Sequence, residues 1–239
     1  MTTVEQGLVV SEVFGPTWQG EGPSLGRVAG FVRLGRCNLD CGRGPGATWA
    51  CDTSYTWDWE RHDSARELRT ASPSEVLARL DAMQVSLLVV TGGEPMLQQR
   101  RLPALLEGAK ERGWRVEVET SGTVAPNLAP ELVDQFNVSP KLAGSGVARE
   151  RRYRPGVLRS FMATGVAVFK FVVCEPEELP EVDAMVAECG LDPVWVMPEG
   201  TDAATVTART RALAEAVLAR RWNLTSRLHV LVWGDRRGV

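Results

Sequence analysis

The chain has 239 residues, 44% of them hydrophobic and 24% charged, with a formal net charge of −3. That size and balance allow a full buried core and exclude a disordered chain. They also leave no basic surplus for nucleic-acid backbone and no apolar run long enough to cross a bilayer. The opening M-T-T-V-E-Q-G lacks the basic-then-apolar pattern of a secretory signal, so the expected location is cytoplasmic.

Residues 8–14 (L-V-V-S-E-V-F) read as a strand, followed by a loop, G-P-T-W-Q-G-E-G-P, too rich in glycine and proline for regular structure. Within it Gln19 and Glu21 offer an amide and a carboxylate on a backbone that permits close approach. Residues 29–36 read as a strand leading into Cys37, its apolar run broken by Arg33, whose guanidinium needs an anionic partner unless it faces solvent. The segment 37–53 has neither helical nor strand period. Gly42, Gly44, Pro45 and Gly46 make it a loop, and the polar 57–66 after it is irregular, with His62 at the surface. Ser72, Pro73 and Glu75 form a capping box that starts a helix.

From there strands and helices alternate. Strands are expected at 85–91, 114–120, 135–139, 166–173, 193–197 and 228–233. Helices are expected after G-G-E-P, over 176–189 closed by Gly190, and over 202–221. The basic run 149–154 reads as a solvated loop. The alternation predicts parallel strands with crossovers, in one domain over 1–239. T-G-G-E-P, E-T-S-G, S-P-K and M-P-E-G all fall at the carboxyl ends of strands, where parallel α/β folds place their sites.

Of five cysteines, Cys37, Cys41 and Cys51 are bunched in one loop, whereas Cys174 and Cys189 read as small core residues. Three close thiolates suit an iron–sulfur cluster or a zinc ion. A zinc site needs a fourth ligand, for which His62 is the nearby candidate.

The motifs W-Q-G-E-G, F-V-R-L-G-R-C-N-L-D-C, C-D-T, T-G-G-E-P, E-T-S-G, S-P-K and the closing H-x-L-x-W-G span nearly the whole chain. Together they resemble the radical S-adenosylmethionine enzymes, and among them the 7-carboxy-7-deazaguanine synthase family. One departure stands out: nine residues separate Cys41 from Cys51 where the superfamily usually has two, with the inserted residues at about 42–48. The resemblance implies an open, partial (β/α) barrel of the radical SAM type. It implies conversion of 6-carboxy-5,6,7,8-tetrahydropterin to 7-carboxy-7-deazaguanine with loss of ammonia, for queuosine or deazapurine biosynthesis. The chemistry would be carried by a 5′-deoxyadenosyl radical, with no catalytic side chain of the chain's own.

By the same resemblance Cys37, Cys41 and Cys51 hold a 4Fe-4S cluster, and Thr53 ligates Mg2+. S-adenosylmethionine is held by Ala50, Asp52, Gly92, Gly93, Glu94, Ser139, Pro140, Lys141, Met197, Pro198 and Glu199. The substrate is met by Trp18, Gln19, Gly20, Glu21, Arg33, Thr91, His229 and the terminal carboxylate of Val239. A flavodoxin- or ferredoxin-type electron donor and a homodimer are implied as well. The rival readings are an activase of a glycyl-radical enzyme and a non-catalytic zinc-binding module.

Overall fold

The computed structural model describes residues 7–239. Its frame is one nine-stranded sheet. The strands are β1 (Leu8–Trp18), β2 (Val28–Leu34), β3 (Arg69–Ala71), β4 (Leu87–Gly92), β5 (Arg115–Thr120), β6 (Gln135–Val138), β7 (Ala167–Val173), β8 (Val194–Pro198) and β9 (Asn223–Leu224). They lie in the order β3-β1-β2-β4-β5-β6-β7-β8-β9. From β2 through β9 neighbours pair in parallel, as expected. By contrast, β1 runs antiparallel to both β2 and β3. The sheet curves as an open barrel, with β3 and β9 at its free edges.

The helices are α1 (Ser64–Glu67), α2 (Pro73–Asp81), α3 (Pro103–Glu111), α4 (Arg149–Arg152), α5 (Pro155–Met162), α6 (Leu179–Cys189), α7 (Ala203–Ala219) and α8 (Leu228–Trp233). The capping box of α2 forms as read, with the Ser72 side chain accepting from Glu75 N–H and Glu75 accepting from Ser72 N–H. Gly190 closes α6 in the left-handed conformation.

Side-chain alternation along the strands divides the barrel's two faces. Leu88 and Val90 of β4, Val116 and Val118 of β5, Phe136 and Val138 of β6, and Phe169, Phe171 and Val173 of β7 pack outward into the main core. The alternate positions look inward: Thr91, Glu117, Glu119, Gln135, Asn137 and Lys170. Hydrophobic burial therefore lies mainly between sheet and helices. A small apolar patch of Ala29, Phe31, Leu87 and Val89 fills one part of the interior.

Several expectations need correction. First, β1 does not stop at residue 14 but continues to Trp18, pairing Thr17 with Ala29 and Trp18 with Val28 across a register irregularity. Its neighbour β3 covers only Leu8–Val10, so beyond Val10 that edge is open and Pro16 removes no ladder bond there. Second, 228–233 is helix α8, not a strand. A helix raises residues 229 and 233 by about 6 Å, against about 13 Å in a strand. This brings His229 against Gly20 while Trp233 stacks on Trp18 at 5.3 Å between ring centroids. Third, the basic run 149–154 is not a solvated loop: it contains α4. Arg152 is buried, donating to Val147 O, Lys141 O and Glu181, and Arg151 reaches Asp40 and Asn38 O. The irregular segment 57–66 also includes the start of α1, capped by Asp63.

Candidate active site

The carboxyl ends of β2 and β4–β8 open on a cavity of about 440 Å³. At one end lies the cysteine loop. Past Thr91 the chain continues along β2, with Gly93 N–H donating to Leu34 O at 3.2 Å and Glu94 N–H to Arg36 O at 2.9 Å. A Cβ on Gly93 would stand 2.3 Å from Arg36 O and 2.9 Å from the Cys37 Cβ. Only glycine allows this backbone to lie against the first cysteine.

Cys37, Cys41 and Cys51 all line the cavity and pack with Leu39, Trp49 and Val147. The sulfurs have donors close by: Leu39 N–H reaches Cys37 Sγ at 3.4 Å, Trp57 Nε1–H reaches Cys51 Sγ at 3.5 Å, and the Thr53 hydroxyl lies 3.6 Å from Cys51 Sγ. Burial pushes the Cys37 thiol up to about 12, the Leu39 N–H opposing it while Glu94 and the other two thiols add to it. Burial likewise takes Cys41 to about 11, with Lys141 opposing. Such thiols stay protonated at neutral pH, and a cation bound there would have to displace the protons. Among the described residues no three His, Cys, Asp or Glu side chains close on one ion. Sulfurs sharing a zinc at 2.3 Å stand about 3.8 Å apart, whereas a four-iron cube puts each thiolate on its own iron. His62 bonds Ser54 at 3.1 Å and lies outside the cavity lining, so it does not complete a zinc site.

The inserted residues fold back on the turn 143–146. Gly42 N–H donates to Ser145 O and Thr48 N–H to Gly144 O, both at 2.9 Å. A Cβ on Gly44 would stand 1.8 Å from Gly146 O.

Of the residues expected around S-adenosylmethionine, Ala50, Asp52, Gly92, Gly93, Ser139, Lys141, Met197 and Glu199 line the cavity; Glu94, Pro140 and Pro198 do not. The Glu94 carboxylate is fully buried and already has four donors, Thr120 Oγ1, Ser121 N–H, Ser121 Oγ–H and Met96 N–H. It straps the end of β4 to the end of β5, leaving the Gly92–Gly93 backbone facing the cavity. Lys141 Nζ folds onto Ser139 O and Oγ at 3.0 Å. Arg209 holds the Glu199 carboxylate.

At the other end all the residues expected near substrate line the cavity, namely Trp18, Gln19, Gly20, Glu21, Arg33, Thr91, His229 and Val239. Arg33 donates through Nε to Glu12 Oε2 at 2.9 Å, and its terminal nitrogens bond none of the described residues. Gln19 Nε2 donates to Glu119 Oε1 at 3.1 Å. The Glu21 carboxylate joins Lys170, Arg227 at 3.3 Å and His229 at 3.9 Å. Burial alone would raise its pKa, but Lys170, Arg227 and His229 together hold it far below the carboxylate range.

Four residues that the sequence reading missed complete this end: Glu119, Asn137, Lys170 and Arg227. Arg227 spans the cavity, donating to Asp52 Oδ2 at 2.5 Å and Gly200 O at 2.7 Å besides Glu21. Lys170 is 4% exposed, between Glu21 and Glu119. The signal for Lys170 was available, since it interrupts an apolar strand as Arg33 does.

Two expectations arise here. Burial lowers the His229 pKa from its ordinary 6.5, although Glu21 pulls the other way. The unfolded chain then binds the extra proton, so this residue's contribution to stability is full above 6.5 and falls as pH drops through the folded value. By NMR, one of the two imidazoles is expected to titrate below 6.5, and to vanish in His229→Gln. A Cβ at position 20 would meet His229 Nδ1 at 2.1 Å. Gly20→Ala is therefore expected to turn the imidazole aside and slow turnover by about 10²-fold. Denaturation should show a stability loss of only about 1 kcal/mol, because the ring can swing away.

No protein-family model matches the chain. It is 36% identical over 235 residues to the 7-carboxy-7-deazaguanine synthase of Pyrobaculum aerophilum, covering 96% of each protein. The crystal structure of QueE from Escherichia coli matches with a TM-score of 0.70 at 25% identity, covering 93% of this chain and 95% of that one. Streptococcus suis SuiB bound to S-adenosylmethionine shares the fold at a TM-score of 0.52 and 17% identity, covering 82% of this chain and 49% of that one. The open, partial (β/α) barrel is thus of the radical SAM type. By that identity and coverage, the chain belongs to the 7-carboxy-7-deazaguanine synthase family.

Proposed function

We propose that this chain converts 6-carboxy-5,6,7,8-tetrahydropterin to 7-carboxy-7-deazaguanine, releasing ammonia, and acts as a single radical SAM domain. The observation that carries the reading is one cavity with three cysteines and the Gly92–Gly93 backbone at one end and Arg33, Glu119, Glu21 and His229 at the other. In it Cys37, Cys41 and Cys51 hold a 4Fe-4S cluster, and Ala50, Asp52, Gly92, Gly93, Ser139, Lys141, Met197 and Glu199 hold S-adenosylmethionine. Bound together, these cofactors supply one-electron chemistry capable of hydrogen-atom abstraction, which the side chains do not perform.

The chain's own residues bind, orient and shield. Arg33 offers its two free terminal nitrogens to the substrate carboxylate as a bidentate pair. Glu119 accepts from the amino–imino edge of the pterin, with Gln19 and Thr91 fixing its carboxylate. Glu21, kept ionised by Lys170 and Arg227, accepts from ring N–H groups, and the neutral imidazole of His229 can donate or accept beside it. Trp18, backed by the stacked Trp233 ring, and residues 234–239, including Val239, line the mouth and limit water there. Thr53 presents its hydroxyl beside Cys51 as the single protein ligand of a hydrated Mg2+. A flavodoxin or ferredoxin in the cytoplasm would supply the electron, and two copies would form the working dimer.

The deciding experiment is anaerobic turnover. Reconstituted protein receives S-adenosylmethionine, the carboxytetrahydropterin and dithionite or reduced flavodoxin, with and without Mg2+. Formation of the deazaguanine and ammonia, faster with Mg2+, is the expected result; reductive cleavage of S-adenosylmethionine without deazaguanine would sink the reading. The activase alternative is not favoured, because it gives Gln19, Glu21 and His229 nothing to bind.

A further inference from the structure

The residues inserted between Cys41 and Cys51 include Arg43, which the proposed reaction does not use. Its guanidinium lies over the Trp57 ring, 5.8 Å from the centroid, and pairs with Asp58 at 3.4 Å and with Glu60. Asp58 is 1% exposed, so that anchor is firm. The backbone on either side of the ring is also fixed: Trp57 N–H donates to Ser54 O at 3.1 Å, and Arg36 N–H to Thr56 O at 2.6 Å. The far edge of the clamped ring carries the indole N–H, which points at Cys51 Sγ from 3.5 Å. Trp57 also lines the cavity.

We propose that Trp57 is a redox-tuning residue: its N–H···Sγ bond to Cys51 raises the reduction potential of the cluster, and Arg43 of the inserted segment holds the ring in place. The inference rests on Cys51 being a cluster ligand, as proposed above. Reduction adds one electron and no bond breaks, so the cluster and its thiolates become one charge more negative. A donor aimed at a thiolate sulfur stabilises that added charge more than the oxidised state, and the potential rises. Arg43 itself adds little field, because Asp58 and Glu60 offset its charge. Its role is mechanical.

The test is an anaerobic redox titration of reconstituted protein, following the EPR signal of the reduced cluster. Trp57→Phe keeps the aromatic ring and loses the donor. At a fixed solution potential its reduced-to-oxidised ratio is expected to fall about tenfold, a midpoint more negative by about 59 mV for one electron. Arg43→Met is expected to shift it the same way by less. A Trp57→Phe midpoint equal to or above the wild-type value, at wild-type iron and sulfide content, overturns the proposal. An Arg43→Met midpoint equal to wild type removes Arg43 from it. Should Trp57→Phe fail to take up iron, 3-benzothienylalanine at position 57 preserves the indole's shape without its N–H, and the same criterion applies. Failure of the underlying reading looks different: wild-type protein without iron and sulfide, or Cys51→Ala with a normal cluster.

Discussion

Cys51→Ala is expected to reduce deazaguanine formation by more than about a thousandfold, upward of about 4 kcal/mol of transition-state stabilisation. The three cavity cysteines have no substitute among their neighbours. Thr53 is a hydroxyl, Glu94 is saturated by four donors, and His62 is turned to Ser54. Iron and sulfide analysis after reconstitution should show the cluster lost or reduced, whereas denaturation of the apoprotein should change by under about 1 kcal/mol, since Cys51 is only half-buried. Cys189→Ala is the matched control. That thiol is buried in the outer core beside the Tyr153 hydroxyl at 3.3 Å, far from the cavity wall, so cluster content should be unchanged. A fully loaded, active Cys51→Ala protein would falsify the ligand assignment.

Lys170→Met should have the largest effect on stability, a loss of about 3–5 kcal/mol in chemical denaturation at pH 7. The side chain is almost fully buried between Glu21 and Glu119, and its removal leaves both carboxylates short of a cation. Burial works against the Lys170 charge, yet Glu119 and Glu21 together raise its pKa. The variant should also change the pH profile. In the wild type the Glu21 pKa is depressed, so its stabilisation is fully present above the ordinary carboxylate value of about 4.3 and is lost progressively as pH falls from there through the folded value. With Lys170 gone, burial counts for more and the folded Glu21 pKa moves up, so the buried carboxylate is less stabilised at pH 7 and its protonation at lower pH relieves the penalty. Comparing denaturation at pH 7 and pH 5 tests this. Wild type should change little from this group, and the variant should recover part of its loss at pH 5, where its folded state takes up the proton more readily than the unfolded chain does. Equal stabilities at pH 7 would show that Arg227 alone satisfies Glu21.

Much of this architecture was legible in the residues. The capping box at Ser72–Glu75, the run 85–91 and Gly190 depend on neighbours in sequence, and each formed as read. The gathering of Cys37 and Gly93 around one cavity followed from motifs at the ends of the parallel strands β2 and β4, whereas Gln19 follows the antiparallel β1 and reaches the cavity through its bond to Glu119. What escaped was set by distant partners. L-H-V-L-V-W has the alternation of a strand, but the helix is selected by Gly20 and Trp18, over two hundred residues earlier. Arg152 looks solvated until Glu181 and two carbonyls are brought to it. Arg227 gave no local signal, since its three partners come from separate loops. Glu94 shows the opposite case: the motif was recognised, but its carboxylate proves to be a strut between strands.

The double attachment of the inserted segment has a practical consequence. Gly42 and Thr48 are each strapped to the same turn, while Pro45 and Gly46 between them are exposed; the φ of +79° at Gly46 keeps that position for glycine, which leaves Pro45 as the place to carry a new side chain. Slack added at that crest need not be felt by the sulfurs at either end. A spin label or fluorophore carried there would report on the cysteine loop from close range, leaving the strand ends that shape the cavity untouched.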